Sequence, residues 1–324
     1  MTASTSLPVT RAADLADVPT DRRWLVEDLW GDQAVGIVGG EPKCCKSFLA
    51  LDLAVAVASG APCVRRFAVP RTGRVLLFAA EDALHVVRQR LAGIARAAGH
   101  ALADLDIQVI TAPTVRLDIE RDRDALTETV AKLRPRLLVL DPFVRLHRVD
   151  ENLSGEVAPL LAYLRELQRR YHLAVVLVHH ARKGGAKMRA GQALRGSSEF
   201  HAWGDSNLYL RRHGDQLTLS VEHRAAASIS TVQMLLDTTD GAIALRTLDH
   251  RVSAAGPAEA APANDERSLE QRVVEHLAAA QEPVTVAVLR KLCRVRNATL
   301  QAALAALVAD GQVLKDRAGY ALAR

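Results

Sequence analysis

The sequence predicts an α/β protein whose mainly parallel sheet is extended by antiparallel strands and is followed by a small α+β domain. Continuously apolar strand segments first alternate with helical segments. Strands joined by turns then follow one another, and an Ala- and Pro-rich stretch precedes the C-terminal segment. Strands without a polar face are typical of a parallel sheet that helices cover on both faces.

A repeated order of strand and helix predicts the parallel part of the sheet. Residues 35–40 form a short β-branched run that ends in glycines, and residues 47–59 carry Leu and Val at helical spacing. The order of an apolar strand followed by a helix occurs twice more, and a further apolar strand follows. These segments are strand 74–79 with helix 83–98, strand 137–140 with helix 154–171, and strand 173–178.

Beyond residue 206, Gly and Asp turn signals separate short strands, which we expect to pair in antiparallel fashion. These strands are 207–210, 216–221, 231–236 and 242–248.

The C-terminal part of the chain is predicted to form a separate domain. Residues 253–264 read SAAGPAEAAPAN, which lacks large apolar side chains and predicts a linker. Beyond it, three helices followed by a hairpin match the winged-helix plan. The helices are 269–280, 286–293 and 298–310, and the hairpin strands are 312–314 and 319–322. The predicted organisation is an N-terminal extension at 1–23, a core at 24–252, the linker, and a winged-helix domain at 265–324.

Composition and charge exclude some classes of protein. Lys plus Arg outnumber Asp plus Glu by 42 to 37, a balance that is compatible with a polyanionic partner without demanding one. The four cysteines fit neither a disulfide framework nor a zinc site, so we expect a reducing, cytoplasmic compartment. Because Asp52 interrupts the most apolar stretch, residues 48–57, and no apolar run follows Arg11, we expect neither membrane association nor secretion.

Residues 40–47 read GEPKCCKS, which matches the phosphate-loop spacing G-x-x-x-x-G-K-[ST] except that Cys45 replaces the second glycine. In this motif backbone amides cradle phosphates, the lysine neutralises them, and the hydroxyl of Ser47 holds Mg²⁺. The predicted nucleotide-binding residues are Gly40, Glu41, Pro42, Lys43, Cys44, Cys45, Lys46, Ser47 and Phe48.

Cys45 is predicted to slow turnover while leaving binding intact, because a Cβ restricts positive φ and crowds the nucleotide. Two thiols beside Lys46 at a helix N-terminus also allow two interpretations. Either the substitution is simply tolerated in a reducing cell, or lowered thiol pKa values make the pair an oxidation switch.

Three further positions at strand ends are candidates for phosphate chemistry. Asp141 ends an apolar strand in the Walker B arrangement and is expected to share Mg²⁺ with Ser47. Glu81 follows the strand 74–79 and is a candidate base for the attacking water, or alternatively a solvated residue beside Asp82 at a helix start. His179 and His180 end the next strand as candidate γ-phosphate sensors, with a structural histidine pair as the alternative.

The phosphate loop, Glu81, Asp141 and the histidine pair occur in this order along the chain. Together with their flanking residues, they resemble the RecA-like hexameric ATPases of the RepA type, which are plasmid replication helicases. The resemblance covers about residues 24–212. It rests on WLVEDLWGDQAVGIVGGEPKCCKSFLALDLA, VLLFAAEDALHVVRQRL, LLVLDPFVRLHRVDENLSGEVAPLLAYLREL and VVLVHHARKGGAKMRAGQALRGSSEF. Within these stretches, DENLSG and HHARKGG leading to LRGSS are more specific than the phosphate loop alone.

The resemblance implies a RecA-like P-loop core in which Lys46 and Ser47 bind ATP and Mg²⁺. It further implies that Glu81 is the catalytic base, Asp141 the Walker B carboxylate, and His179 or His180 the γ-phosphate sensor. It also implies a ring of subunits, such as a hexamer, with ATP at each interface. Asp205 stands where the family's arginine finger is expected, which leaves Arg211 or Arg212 as candidates and puts efficient turnover in doubt.

Two basic segments are candidate DNA contacts. The first is the glycine-rich loop 183–198, for which a solvated surface loop is the alternative. The second is the start of helix 298–310 with the wing tip, for which a protein-docking winged helix is the alternative. The candidate residues are Lys183, Lys187, Arg189, Arg195, Arg294, Arg296, Asn297, Thr299, Gln301, Lys315 and Arg317.

The sequence thus predicts a DNA-associated, helicase-like P-loop ATPase in the replication or maintenance of a plasmid or mobile element, with strand separation left open. The alternative is an ATP-gated DNA-binding regulator with little or no hydrolysis. A small-molecule P-loop kinase is disfavoured because no acceptor-binding lid is apparent.

Overall fold

In the computed structural model of the chain, the described residues fall into two compact units, Met1–Arg251 and Val252–Arg324. The structure describes residues 9–15, 23–180, 199–239, 242–248, 269–278, 283–293, 300, 303, 304, 307, 308, 310–315 and 319–322. The predicted linker at 253–264 lies outside these residues.

A nine-stranded sheet forms the centre of the first unit. A separate hairpin of β1 (Trp24–Val26) and β2 (Trp30–Gly31) precedes it. The strands of the sheet are β3 (Val35–Gly40), β4 (Val75–Ala79), β5 (Ile107–Val109), β6 (Leu137–Asp141), β7 (Ala174–His180), β8 (Ser206–His213), β9 (Gln216–His223), β10 (Val232–Thr239) and β11 (Ala242–Thr247). Their order is β11-β10-β9-β8-β3-β7-β6-β4-β5.

The sheet is parallel from β5 across to β8 and antiparallel from β8 to β11. The predicted mixture of a mainly parallel sheet with an antiparallel extension is therefore confirmed. Every residue of β3 and β6 is buried, as expected for strands with helices on both faces.

Two apolar cores cover the two faces of the sheet. The helices of this unit are α1 (Lys46–Ser59), α2 (Leu84–Ala97), α3 (Glu120–Leu133), α4 (Ser154–Tyr171) and α5 (Glu199–Trp203). One core joins α1 and α2 to alternate strand residues such as Val38 and Val178. The other joins α3 and α4 to the residues between them, such as Ile37 and Leu177. Because successive strand residues point to opposite faces, this division assigns each strand-end side chain to one face.

The second unit has its own small core. Its elements are α6 (Leu269–Ala278), α7 (Val286–Cys293), and a hairpin of β12 (Val313–Lys315) and β13 (Tyr320–Leu322). Residues 300, 303, 304, 307 and 308 are helical, within the predicted third helix. Leu300, Leu304 and Leu307 pack with residues of α6, α7 and β12. Among the described residues, no helix combines the length and the apolar character that crossing a membrane requires.

Candidate nucleotide site

The predicted phosphate loop leaves β3 at the carboxyl edge of the parallel strands. A Cβ on Gly40 would lie 2.4 Å from the carbonyl oxygen of Leu210 and 2.6 Å from Cys44 Sγ, so only glycine fits there. The chain then turns through residues 41–45 and enters α1 at Lys46. This strand-loop-helix order brings the backbone amides at the start of α1 to the edge where parallel sheets bind ligands.

Cys45 adopts the conformation that the missing glycine would favour. It is the N-cap residue of α1 with φ 66° and ψ 26°, in the left-handed region. A non-glycine residue in this region costs on the order of 1–2 kcal/mol. The predicted conflict between the Cβ and a positive φ is therefore present at this position.

Lys46 is buried, with its side chain folded back onto the loop. Its Nζ donates a hydrogen bond to the carbonyl oxygen of Glu41 at 2.7 Å and lies 3.9 Å from Cys44 Sγ. Burial lowers the pKa of Lys46, while the nearby Cys44 and Asp141 raise it. An anionic phosphate beside this ammonium would stabilise the charged form that burial disfavours.

Asp141 ends β6 and lies next to Ser47 across the edge of the sheet. It is 8% exposed, and burial is the main cause that raises its pKa to about 6. The negative charges of Asp82 and Glu81 raise the pKa further, whereas a hydrogen bond with Ser47 and the charge of Lys46 lower it. A carboxylate and a hydroxyl in contact are the ligands with which a protein holds Mg²⁺ against a nucleotide phosphate.

The described residues contain no group of three or more His, Cys, Asp or Glu side chains arranged to hold a metal. Mg²⁺ commonly uses only one or two protein carboxylates and takes its other ligands from phosphate and water. The pair of Ser47 and Asp141 fits that role.

Glu81 follows β4 and opens onto the same pocket as Ser47 and Asp141. Its Oε1 accepts a hydrogen bond from Arg145 Nε at 2.8 Å, and Asp82 beside it pairs with Arg90. The pocket has a volume of about 160 Å³. Its lining residues are Ser47, Ala79, Glu81, Asp82, Arg90, Asp141 and Pro142. The structure therefore brings together three of the predicted catalytic and metal residues, and sequence reasoning missed Arg90 and Arg145.

The two histidines at the end of β7 point to opposite faces of the sheet. His179 is buried on the α4 face, where its ring stacks on Phe200 with 4.3 Å between centroids. Its Nδ1 lies 4.0 Å from Glu151 Oε1, and the same oxygen lies 3.5 Å from His147 Nε2. Sequence reasoning missed Glu151 and His147 as members of this cluster, although Glu151 belongs to the DENLSG run on which the family resemblance partly rests.

His180 pairs with Gly40 in the register of β7 with β3. It follows Val176 and Val178, which pack on the α1 side, so the alternation directs His180 toward the face that carries the phosphate loop.

Asp205, at the position expected for an arginine finger, has a structural role at the opposite edge of the sheet. Its Oδ2 accepts a hydrogen bond from the backbone amide of Val35 at 3.2 Å. It also pairs with Arg165, and its Oδ1 lies 3.5 Å from Arg224 Nε. Asp205 therefore fixes the start of β3 and has no position from which to contact a nucleotide in its own loop.

The thiol of Cys44 does not have the lowered pKa that the oxidation-switch interpretation requires. Cys44 is buried, and burial raises its pKa more than the charge of Lys46 lowers it. The oxidation-switch interpretation therefore does not fit Cys44, because desolvation of the thiolate outweighs its attraction to the ammonium.

Most of the predicted DNA contacts lie outside the described residues. For Lys315 the structure describes only its place in β12. The predicted contact residues that lie outside the described part of the chain are Lys183, Lys187, Arg189, Arg195, Arg294, Arg296, Asn297, Thr299, Gln301 and Arg317.

A family model described as an AAA domain matches residues 2–186, which is more than half of the chain. The chain belongs to this AAA domain family. The match includes the phosphate loop, Glu81, Asp141 and both histidines of the site. It ends within the predicted basic loop.

Solved structures are similar to this AAA domain protein at low sequence identity. The ATPase domain of G40P is 14% identical with a TM-score of 0.51, over 66% of this chain and 84% of that chain. A DnaB-like replicative helicase, solved for its interactions with primase, is 13% identical with a TM-score of 0.50, over 66% of this chain and 59% of that chain. The RadB recombinase is 17% identical with a TM-score of 0.48, over 66% of this chain and 90% of that chain. The core has the RecA-like NTPase fold.

Proposed function

We propose that the protein binds and hydrolyses ATP with Mg²⁺ and acts on DNA as a helicase-like ATPase of the RepA type. The observation that carries the proposal is the convergence of four functional groups at one sheet edge: the ammonium of Lys46, the hydroxyl of Ser47, and the carboxylates of Glu81 and Asp141. Phosphoryl transfer depends on positioning and charge stabilisation, which these groups supply without a covalent intermediate.

Each of these four groups, together with His180, has a role in this mechanism. Lys46 exchanges the carbonyl of Glu41 for a phosphate oxygen, because an anionic acceptor binds the ammonium more strongly. Ser47 and Asp141 would hold Mg²⁺, which would neutralise the phosphate charge when bound. Glu81 orients the attacking water and accepts its proton. For this, the carboxylate must give up the hydrogen bond that it accepts from Arg145. His180, on the α1 face, contacts the γ-phosphate.

DNA as the partner is proposed from the sequence together with the similar structures. The basic loop 183–198 directly follows β7, so a contact of His180 with the γ-phosphate can change how this loop binds a phosphate backbone. One of the similar structures belongs to a DnaB-like replicative helicase. We further propose that the second unit is a winged helix that contacts DNA and that the chain assembles into a ring, such as a hexamer, in the replication or maintenance of a mobile element.

A second candidate is an ATP-gated DNA-binding regulator with little hydrolysis. Two observations favour it: the left-handed Cys45 in the phosphate loop, and the structural role of Asp205 where a finger is expected. Loss of a transition-state arginine costs about 10³-fold or more in turnover.

The proposed catalytic role of Glu81 is tested by steady-state ATP hydrolysis and ATP binding in full-length variants. Glu81→Gln is expected to bind ATP and to lose hydrolysis by about 10²-fold or more, because it keeps the shape of the side chain without the base. Glu128→Gln is the matched control, since it makes the same change at an exposed carboxylate on α3, away from the pocket. Lys46→Ala is expected to lose binding. Full hydrolysis by Glu81→Gln would contradict the assignment.

A further inference from the structure

Arg212 lies at the carboxyl end of β8, beside the phosphate loop of its own chain. Its Nη2 donates a hydrogen bond to Cys45 Sγ at 3.0 Å. Cys45 is the N-cap of α1 and directly precedes Lys46. A guanidinium therefore rests on the residue next to the phosphate-binding lysine, and the contact lies within one chain.

The sheet explains why Arg212 reaches the loop and Arg211 does not. β8 pairs with β3 so that Leu210 lies opposite Gly40, where the loop begins. Leu208 and Leu210 pack on the α1 face, whereas Tyr209 packs on the other face. Alternation along the strand then places Arg212 on the α1 face and Arg211 on the opposite face.

The contact that Arg212 makes is weak compared with the one that a nucleotide would offer. A thiol sulfur is a poor hydrogen-bond acceptor. A phosphate oxygen is charged, and it accepts short, often paired, hydrogen bonds from the planar guanidinium. The amides at the start of α1 and the ammonium of Lys46 favour negative charge at the same place.

We propose that Arg212 binds a phosphate group of the nucleotide held by its own chain, an inference that rests on the proposed function. Cys45 holds the guanidinium beside the loop until a nucleotide enters, and Arg212 then moves from Sγ to the phosphate. This role differs from that of an arginine finger, which acts on a nucleotide held by a neighbouring subunit.

The test is a titration of a fluorescent ATP analogue into the full-length chain, at a concentration where sedimentation finds monomers. Arg212→Gln is the test variant. Arg211→Gln removes the same charge from the opposite face and is the matched control, with circular dichroism as the check on folding. We expect about tenfold weaker binding for Arg212→Gln and a change of less than about twofold for Arg211→Gln. Arg212→Lys keeps the charge without the planar fork and is expected to bind with intermediate affinity.

The outcomes separate this inference from the proposed function. Equal affinities of wild type and Arg212→Gln would overturn the role of Arg212 and leave nucleotide binding intact. A loss of affinity that appears only after the chains assemble would also overturn it, because the arginine would then act on a neighbour. Failure of the wild type to bind the analogue would overturn both proposals.

Discussion

At the scale of single residues, the site combines positions that a motif predicts with positions that only packing reveals. The spacing of residues 40–47 predicts that Lys46 and Ser47 bind phosphate and Mg²⁺, and the structure places both residues at the start of α1. Asp205 was recognisable only as a departure from a pattern, because its partners Arg165 and Val35 are distant in sequence. Arg212 was a candidate in place of the arginine finger, but its contact with Cys45 could not be predicted, because Cys45 lies on the neighbouring strand-loop-helix unit.

Cys45→Gly is expected to raise ATP turnover and to stabilise the chain by up to about 1 kcal/mol, because glycine relieves the left-handed strain at a smaller entropic cost. Turnover and urea denaturation measure the two effects. Cys45→Ala is the control, since it removes the thiol and keeps the Cβ. Turnover that is unchanged in Cys45→Gly would show that the cysteine does not limit the enzyme.

Asp52 is a fully buried carboxylate in the middle of α1. It accepts a hydrogen bond from the amide of Val64 at 2.7 Å and pairs with Arg65. Asp52→Ala is expected to destabilise the chain by about 3 kcal/mol in urea denaturation, because it leaves the amide and the guanidinium without their partner. Asp106→Ala breaks the exposed pair with Arg74 and is expected to cost less than about 1 kcal/mol. Equal losses would contradict a structural role for Asp52.

At the scale of elements, apolar runs predicted the long strands and their helices, and these are present close to the expected residues. β5 and the β1–β2 hairpin were missed because strands of two or three residues carry too short a pattern. α3 was missed because, of its residues, only Leu126 and Val130 are buried, so its apolar stripe is narrow. The sequence predicted both histidines at the end of one strand. The face of the sheet to which each histidine points could be assigned only from the two apolar cores of the structure.

The alternation along β7 predicts different outcomes for its two histidines. His180→Ala is expected to lower ATP hydrolysis about tenfold or more with little change in stability, because its proposed role is contact with phosphate. His179→Ala is expected to cost about 2 kcal/mol or more of stability, because its ring packs on Phe200. Thermal denaturation and steady-state hydrolysis separate the two effects. A larger loss of hydrolysis per folded molecule in His179→Ala would contradict the assignment.

At the scale of the whole molecule, the order of segments was sufficient to predict a mainly parallel sheet with an antiparallel extension. It could not predict the strand order, in which β8 returns to lie beside β3. Because β8 lies beside β3, Arg212 reaches the phosphate loop and Asp205 lies at the opposite edge of the sheet. The contacts of Cys45 and Asp205, the two departures from the family pattern, can therefore be understood only from the folded sheet.

The central claim is that nucleotide chemistry at this edge is coupled to DNA. The most direct test is steady-state ATP hydrolysis by the full-length protein, alone and with single- or double-stranded DNA, beside Lys46→Ala and Glu81→Gln. We predict hydrolysis that single strands stimulate and that both variants lose. ATP binding without turnover, in the presence of either form of DNA, would contradict the claim and favour the nucleotide-gated regulator.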